Sequence, residues 1–89
     1  SPASPYAKDI EALCEAVTRS GADQGEPEAR TYTVATWLGS AIQTQEGRNF
    51  LVRIQPLVGA EKASALENEA KRVGLEGCSL ADEWRQPAP

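Results

Sequence analysis

The two cysteines, Cys14 and Cys78, are the residues whose type and placement say most about chemistry. Cys14 falls in the apolar stripe of a helical segment, and Cys78 sits at a loop-to-helix corner near the end of the chain. An even count with no methionine suits an oxidising compartment, so one Cys14–Cys78 disulfide is expected. A loop of this length is worth about 4 kcal/mol in the chain-entropy model, which is useful to a small domain. The competing reading is two reduced thiols packed as small hydrophobes. A redox centre is disfavoured, because no C-x-x-C is present and the pair is far apart in sequence.

Histidine is absent, which removes Ser-His-Asp and Cys-His arrangements and most zinc sites. No EF-hand spacing and no glycine-rich phosphate loop occurs, so no metal or cofactor is expected. Carboxylate pairs remain. Glu11 and Glu15 share a helix face and Glu67 and Glu69 diverge, and both read as solvated surface rather than acid/base dyads. No nucleophile–base pair can be assembled, and the chain does not read as an enzyme.

Two features are more function-like. Glu46, Arg48 and Arg53 are the only charges between residues 31 and 60, and they offer a docking point for an anion or carboxylate. Their bland reading is a helix cap with a surface ion pair. Trp84 reads first as a side chain folded back over the bundle beside Cys78, and second as an exposed anchor for a partner.

The charge of the whole chain narrows the partner class. Its 89 residues carry a net charge of −4 with no Lys/Arg cluster, which excludes the electrostatic footprint of a nucleic-acid binder. Direct membrane insertion is excluded too, since no apolar run is long enough to span a bilayer, although an upstream lipid anchor would be compatible. No signal peptide is present, and a processed chain would read the same way.

The elements that must position these residues are helical. Residues 1–5, with two prolines, read as an extended lead or tether, and residues 86–89 as a frayed tail around one domain over 6–85. Tyr6, Ile10, Leu13, Cys14 and Val17 define a first helix to Ser20, with Ser4 as cap and Pro5 at the first helical position. Val34, Trp37, Leu38, Ala41 and Ile42 define a second, from Pro27 to about Gln43. Gly39 inside it suggests close approach of a neighbouring helix.

The pattern changes phase at Gln43–Gly47, where Thr44 is a candidate cap. A third helix carrying Phe50, Leu51 and Ile54 should end near Gln55, before Pro56. The fourth, Ala60 to Val73, turns Ala63, Leu66 and Ala70 inward and stops at Gly74 with Leu75 as its hydrophobic contact. A short last helix follows, with Ser79 and Asp82 spaced as a capping box. No segment reads as a strand. The expected fold is all-α: four to five short helices in an irregular bundle, tied by one disulfide. Thr31–Val58 holds most of the large aliphatic residues with Trp37 and Phe50, and is expected to form its middle.

Cys14, Trp37-Leu38, Thr44 to Leu51, Ala63 to Leu75, Cys78, Leu80-Ala81 and Trp84 together form a pattern covering most of the chain from Ile10 to Trp84. It resembles small exported helical domains of Gram-negative bacteria, of periplasmic or lipoprotein type. That resemblance implies a periplasmic or extracellular location and carries over no functional residue. Saposin-like and plant lipid-transfer domains use more cysteines than the two present here, which argues against both.

The expected function is therefore a non-catalytic interaction or accessory module of an envelope complex. It would have a protein partner or a second copy, meeting it through Glu46, Arg48 and Arg53 or through Trp84. The alternative is a carrier of a lipid or other apolar ligand, with a cavity among Trp37, Phe50, Ile54 and Leu66.

Overall fold

A computed structural model describes residues 4–85. The chain is all-helical over that range, with no strand among the described residues. Of the expected lead and tail, residues 1–3 and 86–89 lie outside the described residues.

Ser4 starts the first helix. Its hydroxyl accepts the Ala7 N–H at 3.0 Å, and Pro5 occupies the first turn, where a missing N–H costs nothing. Helix α1 (Pro5–Cys14) then stops at Glu15, whose φ of −102° and ψ of 12° leave the helical basin. A separate turn, α2 (Ala16–Arg19), completes the segment expected as one helix. The hydrophobic stripe runs through the break without a change of phase, so periodicity could not reveal it.

Gly21, at φ 81°, reverses the chain into two 3-10 turns, Ala22–Gln24 and Pro27–Ala29. Pro27 therefore opens a 3-10 turn and not the long helix. Helix α3 (Arg30–Ala41) ends at Ile42, which is extended. Helix α4 (Gln45–Ile54) is capped by Thr44, whose hydroxyl accepts the Gly47 N–H at 2.9 Å, as the phase change predicted. Helix α5 (Gly59–Arg72) ends on Gly74 at φ 97°, with the Leu75 N–H donated back to the Ala70 carbonyl at 2.9 Å.

Helix α6 (Ser79–Arg85) begins one residue earlier than expected. The Asp82 N–H closes the first turn onto the Cys78 carbonyl, and no Ser79–Asp82 capping pair forms among the described residues. Cys14 and Cys78 are joined by a disulfide, with Cα atoms 4.7 Å apart, which ties the end of α1 to the start of α6.

The middle of the molecule is α1, not the Thr31–Val58 stretch. Helix α1 packs against α2, α3, α4, α5 and α6 alike. Ala7, Ile10, Ala12, Leu13 and Cys14 are all buried, and the alanines let neighbours close in on several sides. Ile10, Leu13, Leu38, Ile42, Phe50, Ile54, Leu66 and Leu80 supply the larger buried side chains around it. Helix α3 buries only Leu38 fully, while Val34 and Trp37 pack half-exposed against the core. A helix with large residues on one stripe is therefore a wall, and α1, with its buried Ala7 and Ala12, is the axis. No helix of the described residues is long and apolar enough to cross a membrane.

Candidate functional site: an apolar groove beside the third helix

One buried acid fixes the corner between α3 and α4. Asp9 is 2% exposed, and its carboxylate accepts the Gln43 N–H at 2.9 Å, the Thr44 N–H at 2.8 Å and the Thr44 hydroxyl at 2.5 Å. Thr44 Oγ1 in turn accepts from Gly47, so cap and corner form one chain of hydrogen bonds. The backbone donors that follow α3 have no helical acceptor, and Asp9 satisfies them at a partly buried corner. Gly47 is buried against this carboxylate. Sequence reasoning found Thr44 but missed Asp9 and the reason for Gly47; the available signal was an acid flanking the Ile10–Leu13 stripe.

A groove of about 750 Å³ lies beside this corner, bordered by α3 and α4. Val34, Ala35, Leu38 and Gly39 of α3 form one wall, and Leu51, Val52 and Ile54 of α4 form another. Leu13 and Val17 lie at the floor, and Leu80 and Trp84 of α6 contribute from the far side. Gly39 does not mark a close helix approach: a Cβ there would meet nothing within 4 Å, because it faces this open space. Val52 is 67% exposed, a large apolar side chain standing at the groove's edge.

The rim is polar and mostly cationic. Arg30 pairs with Glu83 at 2.5 Å, bridging the start of α3 to α6. Arg30 Nε is buried and has no acceptor among the described residues. The Lys62 ammonium stands 4.8 Å from the centroid of the Trp84 ring, a cation–π distance. Arg48 reaches toward the Ile42 carbonyl at 3.5 Å, at the opposite end of α3.

The four residues read from the sequence as a partner surface are thus divided. Arg48 and Trp84 line the groove together. Glu46 is exposed at the start of α4, beside a shallow depression with Tyr6 and Arg72, and forms no ion pair with Arg48 among the described residues. Arg53 lies outside the groove lining with its guanidinium 5.2 Å from the Phe50 ring centroid. Trp84 packs half-buried against the core, as its first reading has it, and also lines the groove. The cavity expected among Trp37, Phe50, Ile54 and Leu66 does not form there. Phe50 and Leu66 are closed within the core, and of that set only Ile54 lines the groove.

The carboxylate pairs do structural work. Glu15 and Glu11 face Arg19, at 2.7 and 3.9 Å. Glu67 is held by Arg85 at 2.9 Å, which lowers its pKa below the usual carboxylate value. Arg72 grips Glu69 through two hydrogen bonds of 2.7 Å, and the Tyr6 hydroxyl also donates to it. These contacts bring the Glu69 carboxyl down to about 2 against the opposing effect of burial. Burial first, and then Glu69, pushes the Tyr6 hydroxyl up to about 12. No group of three or more His, Cys, Asp and Glu side chains able to hold a metal occurs among the described residues.

Fold and groove define a small disulfide-tied helical domain whose distinctive surface feature is an open apolar cleft with a basic rim. No protein-family model matches the chain, and no curated protein or solved structure matches it.

Proposed function

We propose that this chain is a non-catalytic interaction module of an exported assembly, docking a partner protein into the groove beside α3. The observation that carries this reading is the groove itself: a sizeable apolar surface, including the exposed Val52, left open on a small domain. The basic rim and half-buried Trp84 give it the composition of a docking surface, with an aromatic anchor and polar edges. The Cys14–Cys78 disulfide supports placement in an oxidising compartment, periplasmic or extracellular. The resemblance to small exported Gram-negative domains agrees with that placement.

Complex size in extracts of the native host tests the reading. Ala35→Asp and Val52→Asp place charge in the groove at exposed positions, so the fold should survive. The wild-type chain should elute well above its 9.5 kDa monomer mass, and the folded double variant at monomer size. Identical elution of both would overturn it.

A second reading rests on the same cavity. Its volume lies within the range of small-molecule sites, roughly 300–1,000 Å³. An apolar ligand carried there would appear in native mass spectra of protein purified from its host, as a fixed added mass lost in Val52→Asp.

A further inference from the structure

We infer that the partner segment received by the groove is an acidic amphipathic helix of about three turns, with carboxylates near both ends of an apolar stripe. This rests on the docking reading above and specifies the occupant.

Most arginines of the chain are already paired. Arg19, Arg30, Arg72 and Arg85 each hold a carboxylate of this chain. Arg48 and Lys62, both lining the groove, hold none among the described residues. They are not side by side. Arg48 lies by Ile42, at the C-terminal end of α3. Lys62 lies over Trp84, next to the Glu83 that pairs with Arg30 at the N-terminal end of α3. On a chain of net charge −4, unpaired cations at the two ends of the same apolar cleft make a local field opposite in sign to the whole.

The spacing selects the occupant. Helix α3 spans 12 residues, which at ~1.5 Å per residue makes the wall ~18 Å long. A single-headed amphiphile, such as a fatty acid, brings one anionic group and an apolar tail, and it leaves one of the two cations unmatched. A peptide helix of similar length brings side chains at both ends and an apolar stripe at i, i+3, i+4 and i+7 between them. Ala35 and Val52 of its lining are exposed to solvent, so the groove is accessible to a helix from outside. Leu51, Val52 and Val34 would meet the stripe, while Arg48 and Lys62 would meet the flanking acids.

Selection from a displayed library of 14-residue amphipathic helical peptides, randomised in stripe and flanks, tests this on the oxidised protein. The expected winners carry Asp or Glu at both flanks. Their Kd should rise at least tenfold on the Arg48→Glu, Lys62→Glu double variant, rise with added salt, and be lost on Val52→Asp. Circular dichroism and the unfolding midpoint confirm that each variant is folded. Winners lost on Val52→Asp but neutral or basic, and unaffected by the charge reversal, would overturn the acidic helix while keeping the groove. Winners insensitive to Val52→Asp, or no winners, would overturn both. So would a concentration-dependent dimer of the chain that Val52→Asp abolishes, since the occupant would then be a second copy.

Discussion

Gly47 stands so close to Asp9 that a Cβ added to it would lie 2.6 Å from Asp9 Oδ2 and 2.8 Å from Ile42 Cγ2. The corner between α3 and α4 is thus built by contact between a glycine and a buried carboxylate. Gly47→Ala should destabilise the domain by roughly 2 kcal/mol through overpacking. For a domain of this size that lowers the melting temperature by roughly 10 °C. An unchanged melting temperature would show that the corner can relax around a methyl group.

Asp9 should matter more than any other acid. Asp9→Ala leaves the Gln43 and Thr44 amide donors without their acceptor, and should cost about 2 kcal/mol. Asp9→Asn keeps one acceptor oxygen but turns an NH2 toward donors, so it should rescue little. Urea midpoints of the two variants check this. The expectation fails if Asp9→Asn matches the wild type.

Removing the disulfide by Cys14→Ser with Cys78→Ser should cost about 4 kcal/mol by the chain-entropy estimate. The bond spans a sequence separation of 64 residues and joins the axis helix to the last one. In protein recovered from the native host, both cysteines should resist alkylation until reduced. Free alkylation without reduction would place the chain in a reducing compartment and remove the export reading.

Acid should weaken the fold through Glu69. Its folded pKa, about 2, lies below the ordinary value of 4.5, so protonation is easier in the unfolded chain. The contribution is complete above pH 4.5 and is lost as pH falls toward 2. Exposure of Arg72 keeps it modest. Glu69→Gln should be less stable than wild type at pH 7, with the gap closing by about pH 2. Tyr6 behaves oppositely at the alkaline end. Its raised folded pKa gives a contribution complete below pH 10 and lost as pH rises toward 12, and Tyr6→Phe should flatten that decline.

The sequence made the helical class legible because most apolar residues repeat at helical spacing, and caps such as Ser4, Thr44 and Gly74 stand where local rules put them. The centre was not legible. Large residues in Thr31–Val58 suggested a middle, yet alanines let α1 be approached from several sides, and approach is a property of the assembled helices. The same limit applies at the two glycines. Gly39 and Gly47 look alike in sequence, but one faces open groove and the other a carboxylate. Asp9 was hidden because its partners are backbone donors 34 and 35 residues away. Of the surface residues singled out, Arg48 and Trp84 both line the groove, at its two ends, because a corner and a disulfide position the elements that carry them.

Photo-crosslinking inside the native host reads directly whether a partner occupies the groove. A benzophenone-bearing phenylalanine analogue would be placed at Val52 and at Ala35 in the groove, and at Glu15 away from it. A partner docked in the groove gives a discrete adduct to one protein from both groove positions and none from Glu15. Adducts of equal yield from all three positions, or none from the groove, would contradict it.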